Sequence, residues 1–358
     1  MIVLMTPSLI DGDAVSNDVK GMRDALTAAG HEVQIFAQNW RGSGPPPRSI
    51  RDYRPADFTA DSWTILHFSV GWRPGLEALR SAPGRKAIKY HNITPPEFFA
   101  GINDDYVITC RQGRAQLGDL AKIDCDVFLS DSHYNQQELI DAGAGAERSR
   151  VVPPFHQVNL LHEAAEDAAT LERYRDGRTN ILTVGRVAPN KGHLFALEAF
   201  ARYQRDYDCR SRLFIVGSDD PMLLPYTEAI RQKIRDLHLE SSVIITGKVR
   251  LEELKAYYGL ADLFLVTSDH EGFCVPIVEA MSLTIPVVAL EKTAVGETVG
   301  SGGVAWPEAD PALFAETFHH IVRDPSLGQR LGRTGLAHYE SHFTNRVIAR
   351  RLQECLAE

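Results

Sequence analysis

The sequence predicts an α/β protein of two Rossmann-like domains in tandem. Three observations carry that expectation. Short apolar segments rich in β-branched or aromatic residues alternate with helical stretches, the mark of parallel strands joined by crossover helices. The rhythm restarts at Asn180-Ile-Leu-Thr-Val-Gly185 after a polar interval. The length of 358 residues suits two domains of about 150 residues each.

The elements follow in order. Strand-like segments fall at 1–6, 32–37, 63–68, 86–91 and 126–130, with helices at 16–29, 104–122 and 133–142 between them. Arg150-Val-Val152 is strand-like, and Pro153-Pro154 closes it. Residues 155–176 are polar and rich in Ala and Glu, so the inter-domain linker is expected there. Further strands are expected at 180–184, 212–216, 243–246, 262–267, 285–289 and 302–305. Helices are expected at 192–206, 224–237, 251–259, 275–283 and 310–323. Leu213-Phe-Ile-Val-Gly217 and Leu263-Phe-Leu-Val266 are almost continuously apolar, as strands buried on both faces are. The last helix, about 344–357, carries Ile348, Leu352, Cys355 and Leu356 on one face, with Val347 at its edge. A ligand cleft is expected at the carboxyl ends of the strands.

Composition narrows the function. Lys and Arg number 38 against 47 Asp and Glu, a net charge of −9. That argues against nucleic acid as partner, because such binding needs a basic footprint. The five cysteines, Cys110, Cys125, Cys209, Cys274 and Cys355, are scattered and form no CxxC pair. Neither a zinc site nor a disulfide framework is indicated, so no metal is expected and a reducing cytoplasm fits. The apolar opening meets Asp11, Asp13 and Asp18 at once and reads as a first strand rather than a signal peptide. No apolar run approaches the roughly 20 residues of a membrane span.

Two segments carry chemistry. Ser268-Asp-His-Glu-Gly-Phe-Cys-Val-Pro-Ile-Val-Glu-Ala-Met281 follows a strand and opens a helix near Pro276. Free amides at a helix start favour an anion such as phosphate. A nucleotide sugar laid there would meet Glu271 at its sugar hydroxyls. The amides of Gly272, Phe273, Cys274, Val275 and Pro276's neighbourhood would face the sugar and diphosphate, and Glu279 the ribose diol. Two glutamates eight apart also arise freely on charged helix faces. The strand, turn and helix around them favour the functional reading. In Val184-Gly-Arg-Val-Ala-Pro-Asn-Lys-Gly192, Gly185 and Gly192 admit a ligand close to the backbone, while Arg186 and Lys191 supply charge. Preplaced cations stabilise a departing diphosphate. No Gly-Lys-Ser/Thr sequence opens the helix, so this is not a P-loop.

Gly185-Arg186…Lys191-Gly192 followed by Glu271-Gly-Phe…Glu279 resembles the family 4 retaining glycosyltransferases of GT-B fold. The resemblance extends to Ala261-Asp262, Ile285-Pro-Val-Val288, Asp324-Pro-Ser-Leu with Arg330-Leu-Gly, Asp11-Gly-Asp-Ala-Val-Ser-Asn17 and Tyr90-His-Asn92. It implies that Arg186 and Lys191 hold the donor diphosphate, Glu271 the transferred sugar and Glu279 the ribose. Gly12 would lie under the diphosphate, and His91 near the sugar and the reacting centre. Gly247-Lys-Val249 would meet the base through its backbone, at Gly247 and Val249. Without the resemblance, a lone histidine at a strand end reads first as a packed or capping residue.

Two departures stand out. Cys274 occupies a position where the family commonly has glycine, and Leu283-Thr284 one where it has a Cys/Gly pair. The stretch His91-Asn-Ile-Thr-Pro-Pro-Glu-Phe-Phe99 resembles enzymes that build bacterial polysaccharides and lipid-linked oligosaccharides. There Phe98 and Phe99 are candidate acceptor contacts. Residues 73–89 hold Arg73, Arg80, Arg85, Lys86 and Lys89 against Glu77 alone, +4 in sum. If these formed one face, it would suit an anionic lipid or a lipid-linked acceptor.

The resemblance thus implies an amino-terminal acceptor domain over 1–165 and a donor domain over 177–342. A terminal helix over 343–358 would cross back to the first domain. The expected activity moves a hexose from a nucleoside diphosphate sugar to a hydroxyl of a glycan or lipid-linked acceptor, with retention. GDP-mannose is the preferred donor, and UDP-glucose the next. No cofactor is expected beyond the donor substrate. The expected place is the cytoplasm, at the inner face of the cell membrane if the basic patch meets lipid. The oligomeric state stays open. A nucleotide-sugar 2-epimerase of the same fold and a non-catalytic sugar-nucleotide-binding protein are the alternatives.

Overall fold

The computed structural model describes residues 1–357. The chain divides into two compact units. The first comprises Met1–Glu97, Asp105–His156 and the segment from Phe343 onward. The second comprises Phe98–Asp104 and Gln157–His342.

The first unit holds seven strands: β1 (Ile2–Ile10), β2 (Val33–Arg41), β3 (Arg48–Ser49), β4 (Trp63–Phe68), β5 (Arg85–Tyr90), β6 (Val127–Ser130) and β7 (Ser149–Val151). Their order is β3-β2-β1-β4-β5-β6-β7, and every pairing is parallel. All six residues of Trp-Thr-Ile-Leu-His-Phe in β4 are buried, as helices on both faces of a parallel sheet require. The helix Ala14–Ala28 starts where Asp13 accepts a hydrogen bond from the Ser16 amide. The helix Asn345–Ala357 packs Ile348, Leu352 and Cys355 into a core with Ile2, Leu4, Val19 and Phe155.

The second unit holds six strands: β8 (Asn180–Val184), β9 (Arg212–Val216), β10 (Val243–Gly247), β11 (Leu263–Val266), β12 (Val287–Leu290) and β13 (Val304–Trp306). Their order is β10-β9-β8-β11-β12-β13, again all parallel. Leu-Phe-Leu-Val of β11 and Val-Val-Ala-Leu of β12 are wholly buried. In each sheet the strand order reverses beside the first strand, the switch point at which α/β sheets bind ligands.

Two regions differ from the sequence reading. The stretch 155–176 is not plain linker. It folds into helices Val158–Glu163 and Ala168–Tyr174, which bury Val158, Leu161, Thr170 and Tyr174. Its Ala/Glu-rich composition hid that short apolar face. An 18-residue helix, Pro325–His342, was also not expected. Gly328, Gly332 and Gly335 weaken its helical pattern, yet two of them are packing sites. A Cβ on Gly332 would lie 2.1 Å from the Thr284 carbonyl oxygen, and one on Gly335 3.0 Å from that of Gly302.

The basic patch is corrected outright. Lys89 is fully buried, with its Nζ 2.6 Å from Asp131 Oδ1. Arg85 lies over the Trp63 ring and pairs with Asp126 at 3.5 Å. Lys86 Nζ donates to the Arg80 carbonyl at 3.2 Å. Only Arg73 and Arg80 of the five are exposed, so no single cationic face exists. Alternation along β5 sends Lys89 into the unit. No helix among the described residues is long and apolar enough to cross a membrane.

Candidate functional site

The second unit assembles its site from two βα loops. Gly185 to Gly192 run from β8 to the helix His193–Asp206 and carry Arg186 and Lys191, and Ser268 to Cys274 follow β11. The loops are joined through the backbone. Asn190 O accepts from the Asp269 amide at 2.9 Å, and Asn190 Nδ2 donates to the His270 carbonyl at 3.0 Å. Gly192 has φ +66°, and a Cβ there would fall 1.9 Å from the Thr267 carbonyl oxygen. Only glycine lets the two loops meet so closely.

That contact delivers Lys191 to Glu271. Lys191 Nζ lies 2.6 Å from Glu271 Oε1, and Ser268 Oγ donates to the same oxygen at 2.8 Å. The Glu271 amide donates to Thr293 Oγ1 at 2.9 Å, and that hydroxyl donates to the Glu271 carbonyl at 3.0 Å. The glutamate is therefore fixed at backbone and side chain. Burial alone would lower the Lys191 pKa, yet the neighbouring Glu271 carboxylate holds it above the ordinary lysine value. Arg186 is exposed and pairs with Asp220 at 3.0 Å.

The helix Val275–Ser282 begins at Cys274, whose φ of 79° lies in the left-handed region. Thr284, just beyond its end, has φ 60°. Both departures from the family's usual residues thus fall on backbone that suits glycine. The Cys274 thiol is buried, and burial pushes its pKa far up, with the Glu271 charge adding to the effect. Such a thiol is no nucleophile. Glu279 Oε2 accepts from the fully buried Tyr258 hydroxyl at 2.7 Å. Burial raises the Glu279 pKa, and the Tyr258 bond opposes that rise.

Arg186, Lys191, Glu271, Cys274 and Glu279 thus belong to one cluster of loops. Gly272 and Val275 are half-buried beside it, and the Phe273 side chain is buried. Gly247 ends β10 with φ +70° and open space where a Cβ would stand, with Val249 half-buried after it. Phe98 is half-buried, its ring centroid 6.0 Å from that of His270. Phe99 is 1% exposed. As an acceptor contact Phe99 is corrected to a packing residue.

Gly12 and His91 belong to the first unit. Gly12 is exposed in the loop after β1 with φ +84° and nothing within 4 Å of an added Cβ. His91 follows β5, and both its ring nitrogens are engaged. Nδ1 is 3.0 Å from Asp131 Oδ2, and Nε2 is 2.9 Å from His67 Nδ1.

Sequence reasoning missed Ser268, Thr293, Tyr258, Asp220 and His67. Ser268 stood in the quoted segment, but its hydroxyl carried no signal of its own. Histidine in the otherwise apolar Ile65-Leu-His-Phe68 was the available signal for His67. Nothing in the sequence marked Tyr258 or Thr293.

Comparisons with known proteins bear on this geometry. Residues 178–324 match the family described as Glycosyl transferases group 1. The mannosylfructose-phosphate synthase of Agrobacterium fabrum is 26% identical over 242 residues, 64% of this chain and 52% of that protein. A GDP-mannose-dependent alpha-(1-6)-phosphatidylinositol monomannoside mannosyltransferase of Mycobacterium tuberculosis is 29% identical over 183 residues, 49% of this chain and 46% of that one. The chain thus spans about half the length of the curated relatives it matches. Among solved structures, a sucrose-phosphate synthase from Thermosynechococcus elongatus superposes with TM-score 0.76 at 17% identity, covering 100% of this chain and 98% of that one. Anabaena Alr3699/HepE in complex with UDP-glucose gives TM-score 0.75 at 18% identity, covering 100% and 99%. The fold is GT-B. Residues 178–324, within the second unit, thus match a glycosyl transferases group 1 domain.

Proposed function

We propose that this protein is a retaining glycosyltransferase that moves a hexose from a nucleoside diphosphate sugar to a hydroxyl of a glycan or lipid-linked acceptor. The observation that supports it most is the Lys191–Glu271 pair, held by Ser268 at 2.6 and 2.8 Å beside the start of Val275–Ser282. A cation and a carboxylate fixed side by side suit a diphosphate joined to a polyhydroxylated ring. Lys191 and Arg186 would meet the phosphates, Glu271 the sugar hydroxyls and Glu279 the ribose. Amides from Gly272 to Val275 would add neutral donors, and the backbone at Gly247 and Val249 would meet the base.

The proposed chemistry is front-face displacement. The acceptor oxygen bonds to the anomeric carbon as the bond to the leaving phosphate oxygen breaks. That phosphate oxygen takes the acceptor proton. No side-chain nucleophile, cofactor or phosphate-bound metal is then needed, and catalysis rests on positioning and charge stabilisation. Gly12 and His91 keep their proposed roles toward diphosphate and sugar. For His91, contact through the ring requires one of its two hydrogen bonds to open. Phe98 remains the proposed acceptor contact. The relatives named above support a hexose, and GDP-mannose and UDP-glucose are the proposed donors. The proposed location is the cytoplasm; the corrected patch lends no support to membrane contact.

A 2-epimerase would need further acid and base groups for elimination and readdition, and the cluster offers no such set. A non-catalytic binding role would leave the Lys191–Glu271 pair without a reaction to serve. The deciding experiment incubates the protein with GDP-mannose or UDP-glucose and an acceptor panel, and reads the product by proton NMR. An α-linked product supports the proposal. An inverted linkage, an epimerised donor without acceptor, or binding with no turnover on any acceptor would overturn it.

A further inference from the structure

Glu271 sits in an irregular stretch between the end of β11 at Val266 and the helix start at Val275. No strand or helix fixes its backbone. Its side chain is held by Lys191 and Ser268, and Lys191 is also the group proposed to meet the phosphates. A carboxylate that must keep one direction while its ionic partner turns to a ligand needs a second hold, on the backbone.

The loop after β12 supplies it. Thr293 Oγ1 accepts from the Glu271 amide at 2.9 Å and donates to the Glu271 carbonyl at 3.0 Å. The Ala294 amide lies 3.4 Å from the same carbonyl oxygen. Five residues on, Thr298 Oγ1 donates to the Phe273 carbonyl at 2.5 Å. One short segment thus grips the Glu271-Gly272-Phe273 turn on both sides of its glycine. It uses none of the amides from Gly272 to Val275 that are proposed to meet the donor.

The hold comes at a conformational cost. Thr293 has φ 47°, in the left-handed region. For a β-branched side chain that is an outlier. Among the described residues only Thr284 shares it. The Thr284 hydroxyl donates to its neighbour, the Leu283 carbonyl, at 2.6 Å, whereas that of Thr293 reaches across 22 positions to Glu271. Backbone strain of this kind persists where the surroundings over-determine it, and it gathers at functional sites. Glycine would relieve the strain at Thr293 but would carry no hydroxyl.

We propose that Thr293 is a positioning residue for Glu271. Its hydroxyl sets the Glu271 peptide units, and so the direction in which the carboxylate leaves the turn toward the transferred sugar. The strained backbone is what brings that hydroxyl to Glu271. The role rests on the transferase reading above, because it acts only through the Glu271 contact with the sugar.

The test compares Thr293→Ser, Thr293→Gly and Thr293→Val with the wild type in hexose transfer from GDP-mannose and UDP-glucose. Serine keeps the hydroxyl. Glycine accepts the left-handed backbone without strain but has no hydroxyl, and valine keeps the shape of threonine without it. Thr293→Ser should hold kcat within about threefold of wild type, as a retained transition-state contact gives. Thr293→Gly and Thr293→Val should each lower kcat by about 10- to 100-fold, the scale of misplacing a reacting group. Calorimetric affinity for GDP or UDP alone should stay within about threefold in all three, since neither carries the sugar that Glu271 meets. Far-UV circular dichroism checks folding, and Thr293→Gly decides if Thr293→Val does not fold. Wild-type kcat in Thr293→Gly, an equal loss in Thr293→Ser, or loss of nucleoside diphosphate affinity in step with kcat would overturn the positioning role while leaving the transferase reading in place. A wild-type protein that transfers hexose from neither donor would overturn that reading, and the role with it.

Discussion

Lys191 Nζ and Glu271 Oε1 stand 2.6 Å apart although eighty positions separate them in sequence. Lys191 is held above its ordinary pKa by that carboxylate against the opposing effect of burial. Removing either partner leaves a buried charge without its neighbour. Lys191→Ala and Glu271→Ala should each lower kcat/KM by roughly 10²–10³-fold, the scale of losing one transition-state charge contact. The double variant should cost far less than the product of the two. Steady-state kinetics on folded variants checks this, and simple multiplicativity would separate the two roles.

Cys274 is held at φ 79° and Thr284 at φ 60°. Alanine keeps that strain, whereas glycine removes it. At both positions the glycine variant should therefore be the more stable, by about 1 kcal/mol over the alanine variant. That reverses the usual ranking in ordinary backbone. Urea unfolding of Cys274→Gly against Cys274→Ala, and of Thr284→Gly against Thr284→Ala, measures it. Each comparison removes the same side chain, so lost packing largely cancels.

Gly192 is the opposite case. A Cβ 1.9 Å from the Thr267 carbonyl oxygen cannot be accommodated without backbone movement. Gly192→Ala should destabilise the protein by more than about 2 kcal/mol, as clashes at special backbone positions do. It should also weaken nucleotide binding, because the movement separates Lys191 from Glu271. A variant with wild-type unfolding midpoint and wild-type nucleotide affinity would contradict that coupling.

Glu279 gives a pH prediction. Burial raises its pKa above the reference 4.5, and the Tyr258 hydroxyl opposes the rise. Only the ionised carboxylate accepts hydrogen bonds from both ribose hydroxyls. Affinity for a nucleoside diphosphate should be full above the folded pKa and fall as pH drops through it. The fall should begin at higher pH than an exposed glutamate would give. Tyr258→Phe removes a donor to the ionised form, so its fall should begin at higher pH still. Glu279→Gln should bind more weakly and lose this pH dependence. Calorimetric titration between pH 4.5 and 8 on the order of 0.5 pH unit per step would resolve these curves against the ordinary range.

Much of the fold was legible because parallel strands buried on both faces leave an almost unbroken apolar record. β4, β9, β11 and β12 were readable on that ground. The helix Pro325–His342 was not, because its glycines answer to Thr284 and Gly302 rather than to helix propensity. The helices within 155–176 were hidden by composition. For the candidate site, Arg186, Lys191, Glu271 and Glu279 were chosen from two loop motifs alone. Ser268 stood in the same motif as Glu271, but the other partners that hold them, Asp220, Thr293 and Tyr258, come from segments whose local sequence gives no reason to meet.

The sequence by itself determined two α/β halves and the residue types of a donor-binding loop pair. Those features depend on local periodicity and on short motifs, which a chain carries wherever it folds. Only the tertiary structure decided which charges are free to act. It drew Lys89 out of an apparent basic surface and into the unit against Asp131. It put Phe99 into packing, and it set His91 against His67 and Asp18. Desolvation and partner geometry fix the state of a charged group, and both come from strands and loops that are neighbours only after folding.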